Sequence, residues 1–289
     1  MIKVIASGLY TSLQDLGRFG YRNLGVPLSG AMDLHASAAA NLLLGNDPQL
    51  IVMEITASGP VLEFETPAII AISGATFAPQ LNGIELAMNK SVEIPSGGVL
   101  SFGSPAKGLR AYVAIQGGFY SEKVLGSASY YDGITSRSKL KKGDVLEFNS
   151  GAERISLSDT SEFEAAINFD TAEIEVMRGP EFNCLSNATQ SILMDKSFTV
   201  APNSNRMAYF LNHSESISAK EIITAPVQPG TVQLTPSGKI IILTRDAQTT
   251  GGYARVLQLT ESALNILAQK RAGMSLLFKI VDLPSDTPV

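Results

Sequence analysis

The stretch Lys141-Lys-Gly-Asp-Val-Leu-Glu-Phe148 has a counterpart in Arg271-Ala-Gly-Met-Ser-Leu-Leu-Phe278, and the pair decides how the chain is built. Both read basic-x-Gly-x-x-Leu-x-Phe, a turn leading into a strand. Working outward, Gly117-Gly118-Phe119 follows a strand at Ala111 to Ile115. Gly251-Gly252-Tyr253 follows a strand at Lys239 to Thr244 and a short loop. Further upstream, Ser58-Gly59-Pro60 resembles Arg178-Gly179-Pro180. Each landmark alone is common, but three recur in the same order in each half, which favours an internal duplication over chance. The spans Gly59 to Gly117 and Gly179 to Gly251 are 58 and 72 residues, a difference that loops absorb.

Between the halves, Ser150 to Asp170 is polar and acidic, with Glu153, Asp159, Glu162, Glu164 and Asp170 against Arg154. It reads as a linker with a short helix at Glu162 to Ile167. The expected organisation is a first domain over 1–150, a linker over 151–170 and a second domain over 171–289, ending in a tail from Leu283. Val61 to Phe64, Ala68 to Ile72, Val99 to Phe102, Leu109 to Ile115, Ile174 to Met177, Met207 to Leu211, Lys239 to Thr244 and Ser275 to Val281 carry the composition of strands. Helices are expected at Asp33 to Leu44, closed by Gly45, and at Glu261 to Lys270, capped by Thr260. The fold class is therefore mainly β, with two β-rich domains and short helices.

The 289 residues hold only 17% charged side chains, against roughly 25% in ordinary soluble domains. With 22 Lys and Arg against 27 Asp and Glu the net charge is -5, which supplies no cationic field for phosphate backbones and argues against nucleic acid. The lone Cys184 excludes an intrachain disulfide and a cysteine zinc site, and suits a reducing cytoplasm. The N-terminal residues lack a signal-peptide core, and the apolar runs are strand-sized rather than membrane-spanning. A soluble, cytoplasmic protein with no membrane contact is expected.

Four segments carry candidate chemistry. Gln14, Asp15 and Arg18 lie within five residues between flexible glycines, and Asp15 with Arg18 reads either as a carboxylate and guanidinium pair offered to a ligand or as a surface salt bridge on an irregular loop. In Gly25-Val-Pro-Leu-Ser-Gly-Ala-Met-Asp33, Asp33 is placed to cap the first helix; alternatively, amides and hydroxyls of this passage, Ser29 among them, face a substrate anion. Asn205-Arg206 precedes a strand, and Arg206 either holds a turn or grips a carboxylate or phosphate. In Gln248-Thr249-Thr250-Gly251-Gly252-Tyr253, hydroxyls and glycine amides form either a cradle for an anion or carbonyl, with Gln248 as neutral donor and acceptor, or a plain turn.

Other chemistries are missing from the sequence. Ser237-Gly238-Lys239-Ile240 lacks the first glycine and the hydroxyl residue of a Walker motif. His35 and His213 are the only histidines and form no metal cluster; His35 reads as packing among alanines and His213 as part of a polar loop. Met88-Asn89-Lys90 places Asn89 where a biotin carrier has its lysine, so the chain is not itself biotinylated.

Together, Gln14-Asp-Leu-Gly-Arg18, Gly25 to Asp33, Asn205-Arg-Met207 and Gln248 to Tyr253 resemble the biotin-dependent carboxyltransferase or allophanate-hydrolase subunit 2 family, from about residue 4 to about residue 281. The family includes the C subunit of 5-oxoprolinase and an antagonist of a histidine-kinase inhibitor. The resemblance implies two cyclophilin-like β-barrel domains and a companion, the subunit 1 or B protein. For the 5-oxoprolinase group it also implies a lactam-utilisation component, the A subunit, with ATP acting through the complex. One departure stands out: after Val124-Leu-Gly-Ser127 relatives continue with Arg, Ser, Thr and Asp, whereas this chain reads Ala128-Ser-Tyr-Tyr-Asp132.

Three functions are compatible with that resemblance. The favoured one is the C subunit of an ATP-dependent 5-oxoprolinase that opens 5-oxoproline to glutamate, a reading that the stand-alone length also motivates. Arg18 or Arg206 would then hold the substrate carboxylate, Asp15 would orient or deprotonate, and Gln248, Thr249, Thr250, Gly251 and Gly252 with Tyr253, Ser29, Asn205 and Gln14 would line the substrate. A second is carboxyl transfer from biotin, carried in trans, to urea or a similar amide. A third is a non-catalytic role, binding a kinase inhibitor. The low charge content suits a chain that hides surface against a partner.

Overall fold

The computed structural model describes residues 1–149 and 168–282. The expected helix at Glu162 to Ile167, nearly all of the expected linker and the tail from Leu283 lie outside those residues. The chain divides into two compact units, Met1–Phe19 with Ser29–Ile167 and Gly20–Leu28 with Asn168–Val289. A single division near residue 150 therefore misses a segment: Gly20–Leu28, early in the sequence, belongs to the second unit.

The first unit holds two sheets. One runs β11(Phe119–Tyr120), β12(Val145–Phe148), β1(Ile2–Ala6), β4(Val61–Phe64), β9(Gly98–Ser101), β6(Gln80–Leu81) and β7(Ile84–Glu85). The other runs β2(Tyr10–Gln14), β3(Val52–Thr56), β10(Lys107–Ile115), β5(Ala68–Thr76) and β8(Ser91–Ile94). The main core draws Ile2, Val4, Leu62, Phe64 and Leu100 from the first sheet and Leu13, Met53, Ile55, Ile70, Val113 and Ile115 from the second. The second sheet is covered on both faces, because α1(Leu34–Leu42) packs on the other one.

The period-2 alternation of a strand accounts for this sharing. Along β10, Ala111, Val113 and Ile115 enter the main core, while Tyr112 and Ala114 enter the cluster beneath α1 with Val52, Ala71, Ala36 and Ala40. Alanines on both sides let helix and sheet approach closely. As expected, Asp33 caps α1, its side chain accepting the Ala36 amide at 2.9 Å. His35 departs from expectation: it lies on the exposed side of the helix, away from the alanine seam.

A buried polar group sits beneath the start of α1. Glu54 accepts from the Met32 amide at 2.7 Å and from the Tyr112 hydroxyl at 3.0 Å, and that hydroxyl accepts the Asp33 amide at 2.8 Å. Burial, together with the Glu54 and Asp33 charges, pushes the Tyr112 phenol well above its ordinary pKa. The hydroxyl therefore stays protonated and keeps donating to Glu54.

The second unit is a closed barrel in the order β13(Glu173–Arg178), β20(Ala254–Leu259), β17(Thr231–Leu234), β18(Ile240–Leu243), β15(Ala208–Asn212), β14(Phe198–Val200) and β21(Ser275–Ile280). The parallel pairing of β13 with β21, Glu173 facing Leu277 and Val176 facing Ile280, stands apart from the antiparallel pairings of the rest. Two short strands, β16(Ala225–Pro226) and β19(Thr250–Gly251), form a separate arm. Thr260 caps α3(Glu261–Ala268) by accepting the Ala263 amide, as expected. Ser186 likewise caps α2(Asn187–Asp195), which the sequence reading overlooked. His213 is not a plain polar-loop residue: it is half-buried, edge-on to Phe198 at 5.7 Å, with Nε2 2.8 Å from the Gly238 carbonyl.

The basic-x-Gly-x-x-Leu-x-Phe landmark recurs in three dimensions. Gly143 and Gly273 have φ of 91° and 83°, in the left-handed region that suits glycine. Their amides donate at 2.8 Å to Val4 and Val200, and the residues that follow close the same turn onto Lys141 and Arg271 at 3.1 Å. Leu146 and Phe148, like Leu276 and Phe278, are then buried. The Gly-Gly-aromatic landmark does not recur this way. Phe119 is in the core after two left-handed glycines, whereas Tyr253 is 38% exposed and Gly251 is in an extended strand.

Candidate functional site

The densest candidate segment of the first unit faces inward. Tyr10–Gln14 is a strand, not an irregular loop, and Gln14 is buried, donating to the Ser12 hydroxyl at 2.9 Å. Asp15 accepts four hydrogen bonds: from the Gly17 amide at 2.8 Å, the Ala128 amide at 2.7 Å, and the Ser127 and Ser129 hydroxyls at 2.6 Å each. Arg18 is fully buried and donates to the carbonyls of Val124, at 3.2 Å, and of Ser129. Both residues hold the segment 124–129. At the departure from the family pattern, Ala128 takes part through its backbone. Ser29 is buried with φ 57°, and its hydroxyl has no hydrogen-bond partner among the described residues.

In the second unit, Arg206 is also committed. Its guanidinium makes a bidentate pair with Asp246, Nε to Oδ2 at 2.8 Å and NH2 to Oδ1 at 3.0 Å, both side chains being nearly buried. Asp246 thus already supplies Arg206 with a carboxylate. Asn205 accepts the Met207 and Ala208 amides and so shapes the turn into β15.

Within the segment 248–253, Thr250–Gly251 is the strand β19 of the arm. Thr250 and Gly251 pair with Pro226 and Ala225, the Thr249 carbonyl accepts the Val227 amide at 3.0 Å, and the Gly252 carbonyl accepts the Ile222 amide at 2.9 Å. Gly251 lies against the Gln233 side chain, where a Cβ would come within 2.6 Å of Nε2. Both the Gln233 Nε2 and the Gln248 Oε1 are buried without hydrogen-bond partners among the described residues.

The inner strand of this arm leads to a cleft of about 400 Å³ in the second unit. Its walls include Pro180, Pro226, Val227 and Leu257, and three arginines reach it, Arg22, Arg178 and Arg255. Arg255 is neutralised. It pairs with Glu181 through Nε at 3.0 Å and NH2 at 2.8 Å, and its NH1 donates to the Pro226 carbonyl. That contact holds the Glu181 carboxyl below its ordinary pKa and raises that of Arg255.

Arg22, from the short turn Arg22–Leu24, donates to the Val227 carbonyl, and burial lowers its pKa. Arg178 is exposed, its guanidinium carbon 5.6 Å from the centre of the Phe182 ring, a cation-π contact. Among the described residues, no acidic side chain pairs with Arg22 or Arg178. The sequence reading missed all three arginines. One signal was available: Arg178 stands where the matching landmark of the first half has Ser58.

A family model described as carboxyltransferase domain, subdomain A and B, matches residues 24–280. The chain belongs to this family. Among the relatives of this carboxyltransferase-domain protein, the C subunit of 5-oxoprolinase from Escherichia coli (strain K12) is 32% identical over 286 residues, which take in 96% of this chain and 90% of the relative. Urea amidolyase of Saccharomyces cerevisiae is 40% identical over 162 residues, 54% of this chain and 9% of the relative. The crystal structure of the K. lactis urea amidolyase superimposes with a TM-score of 0.86 at 28% identity, covering 97% of this chain. This chain spans only 19% of that solved chain.

Proposed function

We propose that this carboxyltransferase-domain protein is the C subunit of a 5-oxoprolinase-type complex, which opens the lactam of 5-oxoproline to glutamate at the expense of ATP. The observation that carries the reading is the near end-to-end correspondence with the 5-oxoprolinase C subunit, 96% of one chain against 90% of the other. Hydrolysis of the lactam needs water at its carbonyl, a leaving nitrogen that is reprotonated, and coupling to ATP. The described residues supply an arginine-bearing cleft with apolar walls. At the Walker-like Ser237-Gly238-Lys239, the Gly238 amide donates to the Thr235 carbonyl at 3.0 Å and the Lys239 amide to the Thr235 hydroxyl at 2.9 Å, so neither is left for a phosphate. That loop does not fit ATP, and the reading assigns the nucleotide to the companions, the subunit 1 or B protein and the lactam-utilisation A subunit.

The test is reconstitution with those companions, ATP and 5-oxoproline. Glutamate release that requires this chain is the expected result; folded, assembled subunits that release none would remove the assignment. The likeness to urea amidolyase favours one second reading, carboxyl transfer from a biotin carrier acting in trans. Consumption of carboxybiotin dependent on urea and on this chain would establish it in place of the first.

A further inference from the structure

We propose that the cleft between Arg22 and Arg178 binds the carboxylate of a small organic acid; on the 5-oxoprolinase reading that acid is 5-oxoproline. Three observations carry the assignment. The first is charge. Of the three guanidinium groups at the cleft, Arg255 is matched by Glu181, while Arg22 and Arg178 face it with no acidic partner among the described residues. Arg22 is half-buried and Arg178 rests on an aromatic face, so both cations are positioned before any ligand arrives.

The second observation argues against an amide-lined phosphate cradle. Phosphate sites gather free backbone amides at a glycine-rich turn or a helix start. Here the amides of Gly179, Val227, Gln228, Thr231 and Arg255 all donate inside the protein, and Pro180 and Pro226 have none to give. Recognition is left to side chains, and a guanidinium meets a carboxylate as a planar two-point donor. The third is the body of the ligand. Proline, valine and leucine walls in a cleft of about 400 Å³ accept a compact, partly apolar ring beside its acid group.

The experiment titrates the full chain by calorimetry with 5-oxoproline, with 2-pyrrolidinone (the same ring without its acid) and with inorganic phosphate. The titrations are repeated on Arg22→Gln and Arg178→Gln, after thermal unfolding has shown that each variant is folded. In the reconstituted complex the same variants are assayed for KM and kcat. The expected result is binding of 5-oxoproline in preference to both other probes, weakened roughly tenfold or more in each variant, with KM rising in step. Should either variant misfold, the corresponding Lys substitution, which keeps the charge and loses the planar fork, takes its place with the same expectation.

Binding of the uncharged lactam as tight as that of the acid, tighter binding of phosphate, unchanged affinity in both variants, or no binding to folded wild-type chain would each overturn the cleft assignment. The two proposals fail separately. Turnover of 5-oxoproline with unchanged KM in both variants removes the carboxylate site and leaves the function standing. Arginine-dependent binding without glutamate release does the reverse.

Discussion

The Asp15 centre of the first unit and the arginine cleft of the second are both rich in charge, and they use it in opposite ways. Around Asp15, one carboxylate collects four donors and Arg18 donates to two carbonyls, all within the first unit. In the cleft, Arg22 and Arg178 have no acid to answer them among the described residues. A cluster of polar residues thus marks a binding site only once its internal partners are counted. Answered charges hold a fold together, while unanswered ones are available to a ligand.

The largest expected effect belongs to Asp15→Ala. Removing the carboxylate strands two amides and two hydroxyls, and hydrogen bonds to a charged acceptor contribute about 1.5 to 3 kcal/mol each, without full additivity. A loss of roughly 4 kcal/mol or more in urea unfolding is expected, with carboxylate affinity of the folded protein unchanged. Wild-type stability in this variant would show that Asp15 is not a structural centre.

Next in size is the pair Arg206 and Asp246. Breaking a buried ion pair from one side leaves an unmatched charge and costs about 3 to 5 kcal/mol. Arg206→Ala is expected to fall in that range, and the double variant Arg206→Met with Asp246→Leu to recover most of it. A single variant that keeps its stability but loses ligand affinity would move Arg206 to the ligand-facing side of the comparison.

The smallest effect concerns pH. Glu181 ordinarily titrates near 4.5, and its hydrogen bonds from Arg255 hold it lower in the folded protein. A depressed carboxyl stabilises the fold above its unfolded pKa, and that contribution is lost as pH falls through the folded value. Between pH 6 and pH 3, Arg255→Gln should therefore lose less stability than wild type, by about 1 kcal/mol at this partly exposed pair. Parallel pH profiles in both proteins would sink the idea.

Strands with β-branched composition, such as β10 and β18, and helices with a side-chain cap, α1 and α3, were legible in the sequence. So was the turn at Gly143 and Gly273, because its basic, glycine, leucine and phenylalanine positions each have a physical role there. β2 was not: Thr11, Ser12 and Gln14 are buried polar residues, Thr11 donating to the nearby Ser7 carbonyl and Gln14 to Ser12, so the strand lacks the apolar alternation that marks one in sequence. α2 was hidden by a first turn of Asn187, Ala188 and Thr189, mostly poor helix formers. The cleft was the least legible feature. Arg22 belongs to the second unit although nearly all of the first separates it from Arg178 in sequence, and no sequence interval encodes their meeting.

The parallel pairing that closes the barrel also governs how the second unit responds to force. The chain enters β13 at Glu173 and leaves β21 at Ile280, so tension applied to these points pulls the two strands past one another lengthwise. All the rungs of that ladder are then loaded together in shear instead of opening one at a time like a zipper. The seam where the barrel begins and ends is thereby its mechanical clamp.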